Sequence, residues 1–179
     1  AYDFYQRGQD EFAKCPYPEY KPAIINLAKS YFLKALEYDS TFALAYFGLA
    51  EVLWIKLDRD PSVSENVMFK MNLDSMLVLA DLALSFDDKL EGPYIIRAAY
   101  YSFKGNIKQT LAEYDKAIRY NPNDSWAYFM KGLAYEELDL VKSLENMQKA
   151  ASLDHGKELA HILTEIGVTY CMAGFPEKG

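Results

Sequence analysis

Two histidines, His155 and His161, and two cysteines, Cys15 and Cys171, are the side chains of this 179-residue chain best suited to bind a metal or act as nucleophiles. Their spacing serves neither use. Residues six apart on a helix point in different directions, so the histidines are badly placed to share an ion in tetrahedral geometry. The cysteines stand near opposite ends of the chain, without metal-ligand spacing and too few for a disulfide framework. Both are read as unpaired thiols, which is compatible with a reducing compartment. Glu136-Glu137 and Asp58/Asp60 resemble acid–base pairs. Adjacent helix positions diverge, however, and an Asp in a turn is usually a solvated cap. The two histidines follow each other near the end of the chain, so no Ser-His-Asp or Cys-His set gains support. Gly105 and Gly174 fall in turns and form no phosphate-cradling loop. No catalytic residue, metal or cofactor is expected, and the chain is read as a non-enzyme.

Bulk composition narrows the partners. The chain is 51% hydrophobic and 25% charged, with a formal net charge of −7. Its 19 basic residues are spread singly, without the cationic cluster a phosphate backbone requires, so nucleic-acid binding is not expected. No apolar run approaches the length that spans a bilayer. Aromatic residues are abundant, at 15%, and need a structural reason.

That reason is a repeat. Tyr94, Ala98 and Tyr101 precede Gly105, Tyr114, Ala117, Asn121 and Pro122, and the pattern returns 34 residues later as Tyr128, Gly132, Tyr135, Met147, Ala150 and Asp154. A period of this length indicates stacked helical hairpins. With Tyr128 as the reference, earlier copies fall at Tyr94, Tyr46 and Phe4, at spacings of 34, 48 and 42. The surplus residues fall between Leu57 and Asp74 and between Cys15 and Pro22. These stretches contain Asp58-Arg59-Asp60-Pro61 and Pro16, Pro18 and Pro22, so the insertions lie in turns within hairpins and leave helix pairing intact. A single long helix over Ser62 to Phe86, started by Ser62 or Ser64, is expected after the first of them. Helix boundaries fall between Asp39 and Thr41, at Asp87-Asp88, between Asn121 and Ser125 and between Asp154 and Gly156, with Asp124 or Ser125 as a cap. Within segments, apolar residues recur three and four apart, and no sustained strand alternation occurs. Low Gly and Pro content elsewhere predicts one continuous domain over residues 1–179.

These residues resemble the tetratricopeptide (TPR) family, whose repeat carries a bulky residue, Leu-Gly and Tyr on its first helix and Ala, an aromatic and Ala on its second. The best copy runs from Tyr94 to Pro122. Tyr46, Leu49, Ala50 and Leu53 follow the pattern, with Ala28, Phe32 and Ala35 on the preceding helix. Phe4, Gly8 and Phe12 make the weakest copy. Ile166, Gly167, Tyr170 and Gly174 begin a last one, in which Leu163 stands 35 residues after Tyr128, one off the period. The resemblance implies an all-α fold: a right-handed superhelix of antiparallel hairpins, about four repeats plus a partial fifth. Gly132, Ala98 and Ala50 are then the small residues that admit the second helix, and Ala117, Ala35, Ala83 and Ala150 are their counterparts.

A narrower similarity lies in the opening Ala1-Tyr2-Asp3-Phe4-Tyr5, Arg7-Gly8 and in Ala43-Leu44-Ala45-Tyr46-Phe47-Gly48-Leu49-Ala50. Both are similar to a bacterial TPR group fused behind winged-helix transcriptional activators, class III adenylate cyclases and protein kinases. The chain starts inside a helical pattern and stops just past a turn, so the expectation is a domain excised from a longer protein with its effector upstream.

In the family, first helices line a concave groove. By resemblance, the groove positions here are Tyr5, Phe47, Ile95 and Phe129, then Gln9, Glu51, Ala99 and Leu133, with Phe12, Trp54, Phe103 and Glu137 near its edge. Trp54 and Trp126 are the favoured anchors, since Trp is enriched among binding hot spots. The family's carboxylate clamp for chaperone C-termini needs Lys, Asn and Arg in the groove. Tyr5, Gln9, Phe47 and Ile95 depart from it, so that ligand is not expected. The implied function is a protein- or peptide-binding module, the regulatory or sensory part of a bacterial signalling or transcription-regulating protein. The alternative is a self-associating scaffold using Val168, Tyr170 and Phe175, that is, a homo-oligomer.

Overall fold

The computed structural model describes residues 1–15, 20–60, 67–156 and 158–174, and all regular structure among them is α-helical. In chain order the helices are α1 (Tyr2–Phe12), α2 (Pro22–Tyr38), α3 (Ala43–Arg59), α4 (Val67–Phe86), α5 (Gly92–Phe103), α6 (Ile107–Tyr120), α7 (Ser125–Tyr135), α8 (Leu140–Leu153) and α9 (Leu159–Met172). Pro16, Pro18, Ser62, Ser64 and Phe175 lie outside the described residues. The expected helix from Ser62 is therefore described only as α4, from Val67. The chain forms two compact units, Ala1–Tyr100 and Tyr101–Gly179, which divide near the end of α5.

The boundaries between hairpins share one piece of turn chemistry. A side-chain oxygen accepts the backbone N–H two residues on, which supplies a partner outside the helix. Asp39 takes the N–H of Thr41 at 2.9 Å, Asp87 that of Lys89 at 3.0 Å, Asn121 that of Asn123 at 3.2 Å and Asp154 that of Gly156 at 2.8 Å. Two reference tyrosines reach back to these turns: the Tyr46 hydroxyl donates to the Ser40 carbonyl at 2.9 Å, and Tyr94 to that of Asp88 at 3.0 Å. Asp124, rather than Ser125, caps α7 by accepting the Ala127 N–H. Gly105 and Gly174 have φ of 69° and 85°, the left-handed region where a Cβ is penalised.

In the first unit, α1 pairs with α2 and α3 with α4, while α3 also meets α2 and α1. Aromatic pairs mark the two hairpins: Phe4 stacks on Tyr38 at 5.2 Å and Tyr46 on Phe86 at 5.6 Å. The centre of the first hairpin is Phe32, fully buried on α2. Its ring occupies the space where Cβ atoms on Gly8 of α1 and Gly48 of α3 would sit, 2.7 Å from the latter position. A salt bridge of 2.6 Å joins Arg97 of α5 to Asp81 of α4.

The second unit repeats the scheme with other side chains. The hairpin α7/α8 is flanked by α6 on one side and α9 on the other. A Cβ on Gly132 would stand 2.7 Å from Met147 Cγ and 3.1 Å from the Ser143 carbonyl oxygen, so this glycine sets how closely α8 approaches α7. Lys131 pairs with Asp115 at 2.7 Å, the Arg97–Asp81 bridge displaced by one period. Phe129, Met147, Ala150 and Ile162 form the core. Ile162, 34 residues after Tyr128, is fully buried, whereas Leu163 is 53% exposed.

Gly→Ala in a helix ordinarily gains about 1 kcal/mol. Against the enclosed Phe32 ring it is expected to cost roughly 1–3 kcal/mol through overpacking. Gly8→Ala and Gly48→Ala should each lower the urea midpoint. The double variant should lose more than the sum, since either single change leaves the ring one side to yield toward. Additive losses would show that Phe32 is not confined by both glycines.

Candidate binding faces

In the first unit the structure brings together the expected groove residues of α1 and α3. Gln9 is the link: its amide donates to the Tyr5 hydroxyl at 3.1 Å and to Glu51 Oε2 at 3.2 Å. Tyr5 is buried, with its ring against Phe32 at 5.8 Å and Phe42 at 5.9 Å. Burial first, then the neighbouring Glu51, holds its hydroxyl well above the ordinary tyrosine range. Phe47 and Trp54 lie half-buried one helical turn to either side of Glu51 and pack on a core that includes Ala99. Ile95 and Ala99 of α5 are buried. Gly92 gives way to the Phe47 ring, which occupies its Cβ space.

Glu51 is the unusual group on this face. Burial pushes its carboxyl from an ordinary 4.5 up to about 7, and the Gln9 amide offsets only part of that rise. A carboxylate so placed is costly when charged.

The second unit divides its expected groove residues. Phe129 is a core side chain, 1% exposed, with its ring 5.4 Å from Trp126 and edge-on to His161 at 5.2 Å. Trp126 and Leu133 remain half-buried, and Phe103 is exposed by 40%. His161 Nδ1 stands 4.0 Å from Glu165 on the same helix, and His155 is exposed in the turn before α9.

Beside the C-terminal end of α7 lies an open cavity of about 420 Å³, within the ~300–1,000 Å³ typical of ligand sites. Leu133, Met130, Ile107 and Leu138 supply apolar wall, with Tyr114 beneath and Glu136 and Glu137 also lining it. Helix α7 stops at Tyr135, and residues 136–138 form a turn in which Glu136, the C-cap, keeps right-handed helical φ and ψ. Thr169 of α9 lies 3.2 Å from Glu136 Oε1, while its hydroxyl is 2.8 Å from the Glu165 carbonyl. Burial, together with the nearby Glu165 and Glu137 charges, raises the Glu136 carboxyl above its ordinary value, and the Thr169 hydrogen bond opposes this. The signal available in the sequence was Leu138-Asp139. Asp139 caps α8 by accepting the Lys142 N–H, which places a turn directly before it.

Residues 113–156 match the family model described as tetratricopeptide repeat. No match was found among curated proteins. Solved structures resemble the chain along most of its length. TTC0263, a thermophilic TPR protein of Thermus thermophilus, superposes with a TM-score of 0.72 at 16% identity, covering 98% of this chain and 84% of the other. MamA 41-end from Desulfovibrio magneticus RS-1 gives a TM-score of 0.61 at 16% identity, covering 97% and 85%. YrrB, a TPR protein with an unusual peptide-binding site, gives 0.55 at 20% identity, covering 98% and 78%. At these identities the likeness concerns the fold.

Because the folded protein holds the Glu51 proton more tightly than the unfolded chain does, the associated stability is complete below 4.5 and is lost as the pH rises through about 7. Glu51→Gln is expected to match the wild type at the acidic end of this window and exceed it at the alkaline end. Denaturation midpoints across the window measure this, and a constant offset at every pH would remove Glu51 as the source.

Proposed function

We propose that this chain, which carries tetratricopeptide repeats in an all-helical TPR fold, binds a segment of another protein and catalyses no reaction itself. The observation that carries the reading is the open cavity at the end of α7, walled by Leu133 and its apolar neighbours. An apolar cleft with a few convergent polar groups is the usual form of a site for a small ligand or peptide side chain. Half-buried Trp54 and Phe47 beside the Gln9–Glu51 link offer a second face of the same kind in the first unit. The structurally similar YrrB is described as having a peptide-binding site, which supports the class of ligand. The finer role we propose is regulatory: the module would report the bound segment to an effector domain of a bacterial signalling or transcription-regulating protein. That role rests on the similarity of the Ala1–Gly8 and Ala43–Ala50 phrases to modules in such proteins.

Self-association is the second reading, favoured by exposed Val168, Met172 and Leu163 on α9. Sedimentation over a range of concentrations separates the two, because a strictly monomeric chain excludes the scaffold.

Selection from a random peptide library on the 179-residue chain should enrich a recurrent sequence. Trp54→Ala or Leu133→Ala should weaken its binding by about tenfold or more, as loss of a hot-spot contact does. Phe129→Ala is the folding control, expected to cost about 3–5 kcal/mol of stability. A library without enrichment, or a selected peptide indifferent to both variants, would refute the binding function.

A further inference from the structure

The cavity at the end of α7 carries more information than its volume. Its lining combines aliphatic side chains with two carboxylates, Glu136 and Glu137, and contains no Lys or Arg among the described residues. Two cations of the helices on either side of the Glu136-Glu137 turn are engaged elsewhere. Lys131 pairs with Asp115 at 2.7 Å, while Lys142 pairs with Asp139 at 3.1 Å and lies over the Tyr135 ring. Glu136 is positioned by Thr169 of α9 and feels repulsion from Glu137 and Glu165.

Resting on the peptide-binding reading above, we infer that this cavity seats an Arg or Lys side chain from a basic segment of a partner protein. Charge complementarity selects the occupant. A long cationic side chain lays its methylene stem along apolar surface while its head reaches a polar group, and here wall and carboxylates are arranged in that way. Guanidinium or ammonium would form charge-assisted hydrogen bonds to Glu136 and Glu137 and relieve their mutual repulsion. An acidic side chain would add to that repulsion. A neutral apolar one would cover the carboxylates without supplying a partner, which is costly. The chemistry is opposite in sign to the Lys, Asn and Arg clamp that holds acidic C-termini.

The test uses the full 179-residue chain with labelled methyl groups. The probes are three capped tripeptides, acetyl-Leu-Arg-Leu-amide and its Gln and Glu counterparts, with acetyl-arginine amide alone as a fourth. The Arg tripeptide should shift the methyl resonances of Met130, Leu133 and Leu138 saturably and bind about tenfold more tightly than the Gln tripeptide, the effect of one hydrogen bond to a charged group. The Glu tripeptide should bind least. Glu136→Gln with Glu137→Gln should abolish the preference for Arg while leaving the affinity of the Gln tripeptide unchanged, and added salt should weaken only the Arg probe. Equal binding of the Arg and Gln tripeptides would overturn the cationic preference and leave the peptide-binding function standing. Binding of acetyl-arginine amide as tight as that of the tripeptide would overturn the peptide occupant in favour of a small cation. Library-selected peptides that bind without moving these methyls would overturn the seat alone. Failure of both the library and the tripeptides would overturn the broader function with it.

Discussion

Everything in each unit depends on how closely two helices can approach, and a missing side chain sets that distance. In the first unit Phe32 enters the space left by Gly8 and Gly48; in the second, Met147 enters the space left by Gly132. A large apolar group against a glycine backbone gives many dispersion contacts without a cavity, and it tolerates little change in either partner. In the first unit, aromatic pairs at the hairpin ends and tyrosine hydroxyls bonded to turn carbonyls add further contacts between helices and turns. The side chains left on the first-helix faces are what remains after this packing requirement has been met.

The same requirement explains why aromatic residues on those faces have different fates. Phe129 and Phe47 hold equivalent positions in their repeats, yet Phe129 is enclosed and Phe47 is half-buried. Phe129 has Trp126, Met147 and Ile162 around it. Phe47 sits against Gly92, whose missing Cβ leaves the ring a shallow seat. Burial also governs the polar groups. Glu51 and Glu136 each face a neighbouring helix and each is raised by loss of solvent, so each unit carries a carboxylate whose charge is unfavourable without an opposite charge nearby. A face of that kind is chemically selective before any partner arrives.

Much of this was legible in the residues. Tyr94 and Tyr128, 34 apart, imply the hairpin period, and the Asp39, Asp87, Asn121 and Asp154 turns punctuate it with the residue types that accept a local backbone N–H. A paired charge also echoed at the same period, Asp81 with Arg97 and Asp115 with Lys131, and was a readable signal. The site was only half readable. The family resemblance implied groove positions for Gln9, Glu51 and Tyr5, but the amide that joins them spans 42 residues of chain. The cavity beside Glu136 and Glu137 was not readable, because its wall is assembled from α6, α7 and the turn after α7.

By itself the sequence determined the all-helical class, the hairpin period and the turn positions. Each follows from local rules of periodicity, capping and side-chain type acting over a few residues or one repeat. Tertiary structure alone decided which groove candidates are core, where a cavity opens and which carboxylates it exposes. Those outcomes depend on side chains from separate helices competing for the same volume, and no pattern along a single chain records which of them fills it.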